Sequence, residues 1–178
     1  MTAGNYDIAR PCNLPDACPV AAACLPQSPV GPGGSRVPCL EMAHAHNDKM
    51  RLCNDLEQIA DSLPDRVDRR LCLIVAAKIV PLLKGSHAYE ENYIFPAFAA
   101  STISPSSGHA SVRRLKAEHI EDECAAQDLA DALLPIGNGV AIKNPEALGF
   151  MLRAFFETMR RHIAFEREHI LPVLAREI

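Results

Sequence analysis

Arg161-His162-Ile163-Ala164-Phe165-Glu166-Arg167-Glu168-His169-Ile170-Leu171-Pro172 is the stretch whose reading decides the fold. His162 and Glu166 stand four residues apart, so on a helix they project from one face, one turn above the other. An imidazole and a carboxylate on an apolar face are costly to bury unless something pairs with them. The pattern recurs at His87-Ala88-Tyr89-Glu90-Glu91, followed by Ile94-Phe95-Pro96. Two such helices facing each other would bring two nitrogens and two carboxylates to one interior site. That is the arrangement of a metal-binding helical bundle.

The residues on either side supply the rest of the bundle. The last helix, opened by Asn144-Pro145-Glu146 as cap, first helical residue and favourable acid, carries the stripe Leu148, Leu152, Phe155, Met159, His162, Glu166, His169 and Val173. A helix over about 109–134 repeats the theme with Val112, Leu115, His119, Glu123 (or Asp122), Ala126, Leu129 and Leu133, and Gly137-Asn138-Gly139 breaks it. Residues 66–98 form another helix, expected to kink at Pro81; Ala76, Val80, Leu83, Glu91, Ile94 and Phe98 share the face of His87. Over 41–63 the stripe is Met42, Met50, Cys53, Leu56, Ile59, Ala60 and Leu63. His46 falls on it, whereas His44 aligns with Asp48, Arg51 and Asp55 on the polar side. The pattern predicts an all-α, up-down-up-down four-helix bundle over 41–178.

Residues 1–40 read differently. Pro11, Pro15, Pro19, Pro26, Pro29, Pro32 and Pro38 exclude a long helix and make this an irregular Pro/Cys-rich arm. Cys12, Cys18, Cys24 and Cys39 lie in it at spacings that match neither a zinc finger nor a zinc ribbon. Cys53, Cys72 and Cys124 fall in helical patterns and read as small buried hydrophobes. With no Cys-x-x-Cys pair and no basic segment leading an apolar core at the start, a reduced, cytoplasmic protein is expected. A net charge of −4 with no basic stripe argues against nucleic acid, and no uninterrupted apolar run is long enough to suggest a membrane partner.

Each predicted helix thus carries one inward histidine, in the order His46, His87, His119 and His162, and the chain looks like two copies of one helix pair. A single histidine on an apolar face is more often a hydrogen-bonded core residue than a ligand. Their joint occurrence is another matter. Chance gives about half of one His-x-x-x-Glu pair in this composition, yet His87/Glu91, His119/Glu123 and His162/Glu166 all occur. Burying those groups with no cation would be prohibitive in desolvation. Imidazole and carboxylate donors without thiolate exceed what one tetrahedral zinc needs; two octahedral ions sharing carboxylates fit the count, with iron the best match and manganese or zinc still compatible. The ferritin-like di-iron arrangement is set aside, because it needs a lone glutamate on helices one and three where this chain places histidine.

The order His46, His87-x-x-x-Glu91, His119, His162-x-x-x-Glu166, with Phe95-Pro96 and Leu171-Pro172 trailing the paired motifs, resembles the hemerythrin family over about residues 41–178. More narrowly, it is similar to the bacterial cation-binding branch named for its His-His-Glu pattern. The resemblance implies a carboxylate-bridged non-haem di-iron centre that binds dioxygen or related small molecules. It implies His46, His87, His119 and His162 as terminal ligands and Glu91 and Glu166 as bridges. Two departures separate the chain from the oxygen carriers. Glu123 stands where they place a second histidine on helix three, and on helix four the acid follows His162 by four residues rather than five. The expected function is therefore binding or sensing of oxygen, nitric oxide or iron, with a di-iron redox enzyme acting on peroxide as the alternative; no general acid or nucleophile stands out. His169 reads as a core or channel-end histidine too far along the helix to join the site. Glu90 reads as a supporting or solvated residue that would ligate only if its helix rotated.

Overall fold

The computed structural model describes residues 36–101 and 105–175. Helix α1 spans Arg36–Ser62 and α2 spans Arg69–Tyr89; a π-helical turn, Glu90–Ile94, joins α2 to α3, Phe95–Ser101. Helix α4 covers Pro105–Gly137 and α5 covers Pro145–Phe165; a second π-turn, Glu166–Ile170, leads into α6, Leu171–Ala175. The result is an all-α bundle of four helical rods, with no strand among the described residues. Helix α1 packs on α2 and α5, and α4 on the same two helices. Pairs along the α1–α5 seam run in opposite senses: Asn47 with Arg167, Glu57 with Arg160, Asp61 with Arg153.

Most of the predicted apolar stripes face inward. Leu148, Leu152, Phe155 and Met159 of α5 are buried, as are Leu115, Ala126, Leu129 and Leu133 of α4 and Met42, Cys53, Leu56, Ile59 and Ala60 of α1. Capping fixes where two helices begin. The Asp68 carboxylate accepts from the Leu71 amide at 3.0 Å, and Asn144 Oδ1 accepts from Ala147 at 2.9 Å with Pro145 at the first helical position. Each such cap contributes about 1 kcal/mol. At the end of α4, Gly139 takes φ +98°, a left-handed conformation that turns the chain out of the helix. Gly137 allows a close approach there, since a Cβ at that position would lie 2.5 Å from Leu73 Cγ.

Several expectations change. Helix α1 starts at Arg36 rather than near Glu41, so the last residues assigned to the arm, with Pro38 in the first turn, are helical; proline is tolerated there because that N–H has no intrahelical partner. Helix α4 begins at Pro105, earlier than predicted, and α2 begins at Arg69 rather than near Arg66, running through Pro81 as the expected span does. Cys124 is exposed, whereas Cys53 and Cys72 are buried as expected. The other arm features, including Cys12, Cys18 and Cys24, lie outside the described residues. Arg69–Ser101 is long and apolar enough to cross a membrane by length and composition, but its Cys72, Val75, Ile79 and Leu83 belong to the bundle core.

The interior is layered. One apolar cluster, including Leu52, Leu56, Ile79, Leu129, Leu133 and Leu152, lies toward the α1–α2 and α4–α5 connections. A smaller one, including Met42, Ile94, Phe95, Phe98, Leu115 and Ile170, closes the other end. Between them lie buried His46, Lys49, His87, Glu90, His119, Asp122, His162 and Glu166.

Candidate metal centre

Both π-turns begin at a glutamate. The Phe95 amide donates to the Glu90 carbonyl and the Leu171 amide to the Glu166 carbonyl, each five residues back. Pro96 and Pro172 follow directly. A proline ring crowds the carbonyl four residues before it and supplies no N–H, so a widened turn relieves the clash at Asn92 and Glu168. The consequence is functional: Glu90 and Glu166 both point into the bundle and are fully buried.

Glu166 Oε2 lies 2.9 Å from His46 Nε2, and its Oε1 lies 3.4 Å from His162 Nε2. Glu90 Oε1 accepts from Lys49 Nζ at 2.8 Å, and its Oε2 lies 3.3 Å from His119 Nε2. The rings of His87 and His119 stack at 3.8 Å and within 2° of parallel. Behind three of the histidines stands a carboxylate on the Nδ1 side. Glu123 faces His87 at 3.1 Å and Glu91 faces His119 at 2.9 Å; Glu118 and Asp122 face His162 at 3.5 and 3.6 Å. At His87 and His119 the carboxylate is within hydrogen-bond distance and, by holding the proton on Nδ1, leaves Nε2 as a bare lone pair, which is how metal-binding imidazoles are oriented; His162 Nδ1 makes no such bond.

The Nε2 atoms of His87, His119 and His162, together with Glu90 Oε2 and Glu166 Oε1, are buried without an aligned hydrogen-bond partner. Native interiors leave few such atoms, because each costs about 1–3 kcal/mol, more when charged. One donor atom from each of Glu90, His119, His162 and Glu166 falls within a set spanning 4.8 Å. Borderline nitrogen with hard carboxylate oxygen suits iron, manganese or zinc. The residues present fit a bound metal ion.

The electrostatics follow the same geometry. Burial drives the His87 pKa down to about 2, with Lys49, His119 and His162 adding repulsion, so this imidazole is neutral and able to ligate. Burial opposes protonation of His162 as well, but the Glu166 carboxylate 3.4 Å away outweighs that and raises its pKa. Burial would raise the Glu166 carboxyl; the neighbouring His162 and His46 imidazoles and the charge of Lys49 reverse the effect, holding it ionised. Asp122 goes the other way, its pKa raised by burial.

Sequence expectation and structure meet at His46, His87, His119, His162 and Glu166, all buried in one layer. They part at the remaining carboxylates. Glu91 is 32% exposed and bonds the outer nitrogen of His119 and Lys116 Nζ, and Glu123 is 31% exposed behind His87. Both stand around the donor cluster rather than in it. Glu90, read as supporting or solvated, is the residue that enters, and Lys49 and Asp122 complete the layer. His169 is 51% exposed, its ring against Phe165, and is neither a core nor a channel residue. Counting back from the prolines would have found Glu90, since Glu90 and Glu166 each precede one by six residues. No such signal marked Lys49.

No curated protein and no solved structure matches the chain. A family model described as the hemerythrin HHE cation-binding domain matches residues 40–174, the span that holds the histidine–carboxylate layer and the four helical rods apart from the first turn of α1 and the last residue of α6. The chain belongs to the hemerythrin HHE cation-binding family.

Proposed function

We propose that the protein is a non-haem iron protein that binds or senses a small ligand, oxygen or nitric oxide, at this buried centre. The observation that carries the reading is the convergence of orphaned Nε2 and carboxylate oxygen atoms, with a carboxylate behind each inward histidine but His46. Iron bound there supplies a coordination position for a small molecule and one-electron redox chemistry. The chain's own residues do the rest. Glu91 and Glu123 orient the imidazoles of His119 and His87, and the apolar clusters above and below exclude water. A groove of about 340 Å³ between α4 and α5, lined by Asp122, Leu129, Met151 and Phe155, reaches the site's edge and offers a path for a diatomic molecule. The resemblance implies two carboxylate-bridged irons; the ligand-binding reading needs iron in the layer but not that count. The net charge of −4 without a basic stripe supports a protein that does not bind nucleic acid; a cytoplasmic location without a membrane partner is part of the same proposal.

The direct test is metal analysis of protein purified from its own host, followed by anaerobic titration of the ferrous form with oxygen and with nitric oxide. Iron in the sample and a saturable change in visible absorption are expected. Zinc or manganese alone, or no spectral response to either gas, would contradict the reading. One feature favours the peroxide-consuming alternative: Asp122, a buried acid of raised pKa beside His162 on the groove wall, is placed to deliver a proton. Peroxide turnover that disappears in Asp122→Asn would establish that alternative.

A further inference from the structure

Lys49 is fully buried, three residues after His46 on α1, with its ammonium 2.8 Å from Glu90 Oε1. Lysine almost never lies fully buried without a partner, and here the partner is a carboxylate of the donor cluster. We infer that the Lys49 ammonium occupies the place of a second cation, so that this centre holds one metal ion rather than the carboxylate-bridged pair that the resemblance implies. The inference rests on the metal-centre reading above and sets its stoichiometry.

The carboxylate oxygens carry the argument. A bridging carboxylate spends one oxygen on each of two ions. Glu90 and Glu166 each have one oxygen already committed: Glu90 Oε1 to Lys49, Glu166 Oε2 to His46. Their other oxygens, Glu90 Oε2 and Glu166 Oε1, lack an aligned hydrogen-bond partner and belong to one cluster with His119 and His162; Asp122 Oδ2 and His87 Nε2, also without a partner, are not part of that cluster. That cluster spans 4.8 Å, the size of one ion's ligand sphere when metal–ligand bonds are about 2.1 Å. Two ions would lie about 3.5–4 Å apart and need a longer donor array. Charge agrees. Of the ionised side chains with no exposure in this layer, Glu90 and Glu166 are negative and Lys49 is positive. A fixed positive charge in a low-dielectric interior repels a second divalent ion strongly.

The test uses the full-length protein, stripped of metal, loaded anaerobically with excess ferrous iron and desalted. Mass-spectrometric metal analysis is expected to give one iron per chain, and after oxidation electron paramagnetic resonance should show an isolated high-spin ferric ion. Lys49→Met, of similar length without the charge, should take up more than one iron per chain, with circular dichroism confirming that it is folded. Two irons per wild-type chain, or a magnetically coupled, resonance-silent ferric pair, would overturn the inference. A folded Lys49→Met protein that stays at one iron would remove Lys49 as the cause and overturn it too. No iron in either protein would refute the metal-centre reading itself, which separates that failure from this one. Should Lys49→Met fail to fold, the wild-type stoichiometry and resonance spectrum still decide the matter.

Discussion

Glu90 and Glu166 each open a π-turn six residues before a proline, yet the side chains that grip them differ. Lys49 and His119 hold Glu90, whereas His46 and His162 hold Glu166. The same backbone device therefore presents two carboxylates of unequal need. Glu90 arrives neutralised by an ammonium. Glu166 has imidazoles around it, and any full compensating charge must come from a proton on one of them or from a metal. The two halves of the bundle repeat in sequence and in backbone, but not in charge.

The largest effect should come from breaking the Glu90 side. In metal-free protein, Lys49→Met alone strands a buried carboxylate and Glu90→Leu alone strands a buried ammonium. Each should lower unfolding free energy by about 3–5 kcal/mol. The double variant, with both charges gone, should recover most of the loss. Urea denaturation of the four proteins measures this, and additive losses would mean that the two charges do not form an energetic pair.

A smaller effect is expected at the outer carboxylates. Glu91→Gln and Glu123→Gln leave the donor cluster in place but weaken the hold on the His119 and His87 Nδ1 protons. Metal affinity should fall about 10- to 100-fold in each. If Glu91 or Glu123 were a ligand itself, its loss would remove binding outright, so competition titration against a chelator distinguishes the roles.

The smallest effect is a contrast in titration between His87 and His162. In metal-free protein His87, held down to about 2 from 6.5, should not protonate between about pH 5 and 8, while His162, raised above 6.5, should titrate later than a free imidazole. The signs follow. Below 6.5 the unfolded chain binds a proton at His87 that the folded state refuses, so that contribution is present at neutral pH and lost on acidification. At His162 the folded state keeps its proton longer, so that contribution is present below 6.5 and lost as pH rises through the raised value. Nuclear magnetic resonance of the two imidazole C–H signals checks both.

Much of this layer was legible in the sequence because its histidines sit on apolar stripes of regular period. His46, His87, His119, His162 and Glu166 could each be placed inside from the spacing of neighbours such as Met42, Leu83, Leu115 and Met159. Glu90 and Glu91 could not be told apart that way. Residues three and four beyond His87 lie on nearly the same helical face, and the π-turn shifts the register at that point. Lys49 was passed over for a different reason. Lysine in an amphipathic helix is ordinarily solvated, and Met50 beside it made the more plausible member of the stripe. His169 and Cys124 show the opposite error: His169 falls on the extrapolated stripe of its helix and Cys124 was read as a small buried hydrophobe, but both are exposed, His169 within the second π-turn, where α-helical counting no longer holds.

The central claim is that this polar layer is a cation site built around Glu166. Anaerobic calorimetric titration of metal-free protein with ferrous iron, run beside Glu166→Ala, tests it most directly. The account predicts saturable binding to the wild type and none to the folded variant. Absence of binding in the wild type, or equal binding by Glu166→Ala, would contradict it.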